Sequence, residues 1–146
     1  MTDDELVHRR TFDAPRDLVW RCLTEPAELA RFWGPRGMVT PIDGIVVELR
    51  PGGRFETLMT GEHGSYRMVA VFTEVVPPER LAWTEPDSGM RTTSTLLDLG
   101  DGRTEVVIRQ RHVPEAMRLP EARAGFATSL DKLEAHLASL AQGEGS

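Results

Sequence analysis

Cysteine is almost absent: Cys22 stands alone among 146 residues, so no internal disulfide can form. Four scattered histidines supply none of the spacings of a zinc finger or ribbon, and no metal site is expected. A disulfide-free chain fits a reducing compartment, read here as the cytoplasm. Positive charge is short as well. Lys+Arg 17 against Asp+Glu 23 gives a net charge of −6, which argues against nucleic acid as a partner, because phosphate neutralisation needs clustered positive charge. No run approaches the ~18 apolar residues of a membrane span, and the opening MTDDELVHRR is acidic, without the apolar stretch of a signal peptide. Nucleotide loops are missing too: Pro51-Gly52-Gly53-Arg54 is a turn, with neither G-x-x-x-x-G-K-[ST] nor G-x-G-x-x-G anywhere, and no cofactor is expected. Paired-carboxylate and nucleophile-elbow signatures do not occur.

What is present is one domain's worth of chain. A protein of this length removes about 68–70% of its unfolded surface from water. Repeats and low-complexity blocks are lacking, so residues 1–146 are expected to form a single domain, with Gln142-Gly143-Glu144-Gly145-Ser146 as a loose tail. Leu6–Phe12 is the first expected strand. Pro15 suits the first turn of a short helix whose apolar side is Leu18, Val19, Cys22 and Leu23. A second short helix follows, capped by Thr24 or Glu25, with Pro26 in its first turn and Leu29, Phe32 and Trp33 on one face.

From there to His112 the pattern is strand and turn. Strands are expected at Ile45–Leu49, Arg54–Thr60, Tyr66–Val76, Leu81–Thr84, Arg91–Leu99 and Arg103–His112. Gly and Pro punctuate them, and the last two are joined by the hairpin signal Gly100-Asp101-Gly102. Such short turns pair neighbours antiparallel. In the last strand Thr104, Val106, Ile108, Gln110 and His112 share one parity, so one face is covered and the other wet. The cover is a helix from about Glu121 to Leu140. Phe126, Leu130, Leu133, Leu137 and Leu140 recur along it at steps of four and three, while Arg123, Asp131, Lys132 and Glu134 fall off the stripe. About 20 helical residues span roughly 30 Å, enough to cross a whole sheet. The fold class is α+β.

Several local words sit in this order of elements: Phe12-Asp13-Ala14-Pro15 through Val19-Trp20, Thr24-Glu25-Pro26, Phe32-Trp33-Gly34-Pro35, Leu49-Arg50-Pro51-Gly52-Gly53, Glu74-Val75-Val76-Pro77-Pro78-Glu79-Arg80-Leu81 and Ser129-Leu130-Asp131-Lys132-Leu133. Over nearly all of residues 6–140 the chain resembles the heat-shock-protein-90 ATPase activator homologue family of the START-related, birch-pollen-allergen-like (SRPBCC) superfamily. The resemblance implies a helix-grip fold: a seven-stranded curved antiparallel sheet around a long C-terminal helix, with two short helices after the first strand. It implies a deep cavity for an apolar ligand between them. Superfamily members bind lipids, steroids, hormones or polyketides, some catalyse cyclisation, and eukaryotic relatives stimulate the chaperone's ATPase; fold alone does not choose. The eukaryotic activators carry a separate N-terminal chaperone-binding domain, for which this chain has no room. Where many bacterial members place Gly-Trp on the last helix, this chain has Gly125-Phe126.

A curved sheet and a straight helix cannot touch along their full length, so the gap is either filled by large side chains or left open. Trp33, Phe55, Tyr66, Trp83 and Phe126 are the aromatic candidates to line it, with Met59, Met68 and Leu130 as further apolar wall. The same residues would serve equally as solid core. Gln110 and His112 are polar on the covered parity, where an unpartnered group costs roughly 1–3 kcal/mol. Either they orient the polar end of a ligand at the cavity mouth, or the backbone, water or the sheet's end satisfies them. Arg54 and Glu56 should face solvent. Threonines stand on both parities of Arg91–Leu99, which leaves that strand's inward face open, and Cys22 reads as a small buried hydrophobe. The expected function is non-enzymatic binding of a small hydrophobic or amphipathic ligand. The alternatives are a cyclase, dehydratase or hydrolytic enzyme in the same cavity, and a chaperone co-factor or stress-response partner. Val107 and the edge strands permit a homodimer.

Overall fold

Each strand exists because its residues alternate, and the computed structural model, which describes residues 4–143, shows where that alternation points. After β1 (Leu6–Phe12) come α1 (Arg16–Thr24) and α2 (Pro26–Phe32), then the two-residue strands β2 (Met38–Val39) and β3 (Val46–Val47). β4 (Arg54–Gly61), β5 (Gly64–Val76), β6 (Arg80–Glu85), β7 (Met90–Gly100) and β8 (Arg103–Arg111) build a meander, and α3 (Pro120–Gly143) closes the chain. Seven strands follow one another in the order β1-β8-β7-β6-β5-β4-β2, all antiparallel, and β3 also pairs with β4. The result is the helix-grip arrangement, a curled sheet holding the long last helix.

Tight turns set the meander's registers. Between Gly100 and Arg103 the loop residues Asp101 and Gly102 both take positive φ, +56° and +74°, the pair of values a type I′ turn requires. Register shifts at Phe72/Glu74 in β5 and Asp98/Gly100 in β7 add local twist, which helps the sheet curl. On the concave side of β8, Thr104, Val106, Ile108 and Gln110 are all buried, as their parity demands. Thr104 needs a partner at that depth, and its hydroxyl donates to the Ala14 carbonyl at 2.8 Å. The α3 stripe meets this face through Leu130, Leu133 and Leu137, with Phe126 and Leu140 packed at either end.

The structure corrects several boundaries. The strand expected over Ile45–Leu49 shrinks to Val46–Val47, because the chain coils at once into a turn in which Arg50 N–H donates to the Glu48 carbonyl and Gly53 N–H to that of Arg50. Gly53 is required there: a Cβ on it would collide with the Glu48 carbonyl. Pro15 stands just outside α1 rather than in its first turn. Extended at ψ 153°, it offers its carbonyl to the amides of Leu18 and Val19. α3 runs on through Gln142 and Gly143, since nothing breaks the helix after Leu140; the rest of the expected loose tail lies outside the described residues. None of the helices among the described residues is long and apolar enough to cross a membrane.

Candidate functional site

Where α3 departs from the sheet, a cavity of about 450 Å³ remains between them. Its wall is built by alternation: Trp83 on β6, Thr92 and Ser94 on β7, and Val106, Ile108 and Gln110 on β8 all point inward from the sheet. Phe126, Leu130 and Leu133 face them from α3, and Phe32 and Trp33 close the end beneath α2. Met59, Met68 and Met90 supply flexible apolar wall. The floor is an aromatic cluster. Trp33 meets Phe55 edge-on at 5.4 Å, Phe55 stacks on Phe72 at 5.2 Å, and Trp83 stands edge-on to Phe55 at 4.9 Å. Trp33 is fixed further by its indole N–H, which donates to Thr57 Oγ1 at 3.1 Å.

Eight of the ten residues singled out from the sequence therefore come together around one space: Trp33, Met59, Tyr66, Met68, Trp83, Gln110, Phe126 and Leu130. Phe55 does not reach it, because Trp33 and Trp83 lie against its ring and it serves as the layer behind them. His112 is displaced altogether. β8 ends at Arg111, and His112 takes a left-handed φ of +58°, so the alternation that would have turned it inward is broken. Its side chain is 60% exposed and lies 3.4 Å from Asp4 on the surface. Arg54 is exposed as expected, whereas Glu56 is mostly covered by its ion pairs with Arg54 and Arg67. On β7 the inward face is the one carrying Thr92, Ser94 and Leu96.

Gln110 lies against His8 of β1, whose ring stacks on Phe126 at 4.1 Å and whose Nε2 is buried without a hydrogen-bond partner among the described residues. Burial holds the His8 pKa below its ordinary value; Gln110 opposes that shift and Arg123 adds to it. Glu85 was not foreseen, although its parity with Trp83 puts a carboxyl on the inward face. Burial first, then the charge of Asp87, raises its pKa. Tyr66 stands half exposed at the rim, and burial together with Glu85 and Asp87 raises its hydroxyl pKa.

The rim itself is tied to α3. Lys132 Nζ donates to the Gly34 carbonyl at 3.0 Å, Ser129 Oγ to the Phe32 carbonyl at 3.2 Å, and Arg36 N–H to Thr128 Oγ1 at 3.0 Å. Burial, with the neighbouring charge of Arg36, lowers the Lys132 pKa. Two polar groupings lie outside the cavity. Cys22, Glu28 and His136 bring a sulfur, a carboxylate oxygen and an imidazole nitrogen within 4.8 Å of one another at the junction of α1, α2 and α3. The donor set would suit zinc, but His136 Nε2 and Glu28 Oε1 stand 2.7 Å apart, closer than the about 3.3 Å that follows from tetrahedral zinc bonds of ~2.0–2.1 Å. The contact is a hydrogen bond clasping two helices, and Arg21 approaches the same carboxylate at 3.4 Å. On the opposite, convex face of the sheet an open cleft gathers Arg80, Arg91, Arg109 and Arg111, a local concentration that net charge conceals. Glu74 pairs with Arg80, and Glu5 with Arg109 and Arg111.

Comparison with known proteins agrees with this geometry. A crystal structure of a Nitrosomonas europaea protein superposes with a TM-score of 0.80 at 28% identity, covering 97% of each chain. A Chromobacterium violaceum protein gives 0.80 at 28% identity, over 92% of this chain and 96% of that one. A Rhodobacter sphaeroides protein gives 0.83 at 26%, over 94% of each. No curated protein sequence matches significantly. The family model described as "Activator of Hsp90 ATPase homolog 1-like protein" matches residues 13–138, and with the element order and the gripped helix already seen, the chain belongs to that family.

Proposed function

We propose that this protein binds a small hydrophobic or amphipathic molecule in the cavity between sheet and α3, without transforming it. The observation that carries the reading is the cavity itself: about 450 Å³ lined largely by aromatic, methionine and leucine side chains, within the size range of ligand pockets. Apolar burial would supply the affinity, at about 25 cal/mol per Å² before ordering losses. A thermal-shift screen of neutral lipids, aromatics and polyketides tests it, because a ligand of the native state stabilises by RT ln(1 + [L]/Kd). Native mass spectrometry of the freshly purified protein complements the screen. A ligand that raises Tm in a dose-dependent way, or a co-purifying mass, supports binding; a flat screen with only the bare chain's mass refutes it.

One observation favours a second reading, a cyclase or dehydratase acting in the same space. Glu85 is a carboxyl in a largely apolar wall whose pKa is raised, the condition in which a carboxylic acid keeps its proton long enough to act as a general acid. That reading requires turnover of a bound substrate that is lost in Glu85→Gln while binding persists. Turnover equal to wild type in that variant rejects it.

A further inference from the structure

Two polar atoms in the cavity wall have no partner. Trp83 Nε1 and Thr92 Oγ1 are buried, and among the described residues no group hydrogen-bonds either one. Their residues are direct cross-strand neighbours on β6 and β7, and the next residue in the same row is Gln110 on β8. Gln110 lies against His8 and has no buried atom left unpaired, and the other cavity tryptophan, Trp33, donates to Thr57. His8 Nε2, behind Phe126, is also buried without a partner, but among the described residues that line the cavity Trp83 and Thr92 are the two whose buried polar atoms are left unpaired, side by side on the inward face. Directly opposed side chains on neighbouring strands stand about 4.5–5.5 Å apart at Cβ, so the two groups belong to one stretch of the wall. An indole N–H only donates, and a threonine hydroxyl can donate alongside it. The complement is an acceptor.

Charge narrows the class. Among the described residues lining the cavity there is no Arg, Lys or His, while Glu85 and Glu121 are both there. An anionic ligand would bury an unpaired charge near the buried Glu85 carboxyl, with the exposed Glu121 at the rim, which is costly without a cation. We propose, building on the binding reading above, that the cavity selects an uncharged, largely apolar molecule presenting one acceptor oxygen, of the ketone type, to Trp83 Nε1–H and Thr92 Oγ1–H. A free fatty acid or other carboxylate is disfavoured by the same wall.

The test is calorimetric titration of the full 146-residue chain with three matched probes: benzophenone, diphenylmethane and diphenylacetate. Benzophenone should bind about tenfold more tightly than diphenylmethane, the gain expected of a buried neutral hydrogen-bonding pair, and diphenylacetate at least tenfold more weakly than the ketone. In Thr92→Val, which keeps the side chain's shape, and in Trp83→Phe, which keeps a ring, the ketone-to-hydrocarbon ratio should fall toward one. The ratio is the readout, so a general loss of affinity from the smaller phenyl ring does not mimic the effect. Thr92→Val alone decides the matter if Trp83→Phe folds poorly. Equal affinity for ketone and hydrocarbon in the wild type, a ratio surviving both substitutions, or tight binding of the carboxylate overturns the inference. Diphenylmethane binding in any of those cases leaves the cavity a binding site. Failure of all three probes to bind overturns this inference, and the binding reading is then decided by the thermal-shift screen and native mass spectrometry.

Discussion

Leu133 and Leu137 offer a test of whether the space beside α3 is open in solution. They are the same residue type, one turn apart on one helix, and 1% and 3% exposed, but Leu133 lines the cavity and Leu137 does not. Truncating either to alanine removes three carbons, a transfer loss of about 2.4 kcal/mol at ~0.8 kcal/mol per methylene. At Leu137 the new hole is surrounded by packed atoms, so a cavity penalty adds to the transfer loss, and Leu137→Ala should cost about 3.5 kcal/mol. At Leu133 the hole merges with a void that already exists, so the cost should stay at the transfer loss of about 2.4 kcal/mol. Enlargement should separate them more sharply. Leu137→Phe overpacks a filled site and should destabilise by about 1–3 kcal/mol, whereas Leu133→Phe grows into empty space and should be neutral or stabilising. Urea unfolding of the four variants, analysed with a common m-value after checking that two probes give coincident transitions, reads out the differences. Equal costs for the two alanine variants together with equal costs for the two phenylalanine variants would mean that the cavity is collapsed in solution.

Three further consequences follow from the site's chemistry. Because the folded state raises the Glu85 pKa above its ordinary 4.5, folded protein holds a proton that the unfolded chain has released between those two values, so stability falls as pH rises through that window. Glu85→Gln removes that slope and should be more stable than wild type above the window, with no such advantage below it; urea midpoints from pH 4 to pH 8 that run parallel for the two proteins contradict the assignment. Burial first, then Glu28, pushes the Cys22 thiol up to about 12, so the native protein should react with a disulfide reagent at pH 8 roughly a thousandfold more slowly than in urea; comparable rates in the two conditions would show that α1 does not shield the thiol. Lys132→Met breaks the bond to Gly34 and should speed amide exchange in residues 34–38 about tenfold while leaving the β7–β8 ladder unchanged, measured by exchange mass spectrometry; unchanged exchange means that Ser129 and Thr128 hold the rim without it.

The fold was legible because its signals are repeated. β1 can be read to the residue from Leu6 to Phe12, and β8 reveals its covered face through four successive residues of one parity. The α3 stripe has one place to go once six long strands present one apolar face. Errors fell where a single backbone torsion overrides a pattern. His112 continues the parity of Val106, Ile108 and Gln110, yet one residue at φ +58° takes it out of the strand and into solvent. Ile45–Leu49 is apolar enough for a full strand, but the turn at Glu48–Gly53 takes the amides that a longer ladder would use. Nothing in the sequence brings Cys22, Glu28 and His136 together, since that meeting depends on how three helices converge.

The polar half of the cavity was harder to read than the apolar half, for a physical reason. Apolar side chains interchange in lining a space, so a group of aromatics and methionines can be named correctly without knowing their contacts. Polar side chains are defined by their partners. Gln110 and Trp83 were both recognised as inward-facing, but only the structure shows that Gln110 lies against His8 with no buried atom unpaired while the indole N–H of Trp83 has no partner. That difference separates a residue that holds the wall together from one that can hold a guest. An unpaired buried donor costs the folded protein free energy that an apolar side chain of the same shape would not. A cross-strand pair of such atoms, Trp83 and Thr92, is therefore hard to explain as packing and easy to explain as half of a hydrogen-bonding arrangement that a ligand completes. The same reasoning makes Thr92→Val informative without any ligand: it should leave stability unchanged or raise it, whereas a clear loss would mean that the hydroxyl already has a partner within the fold.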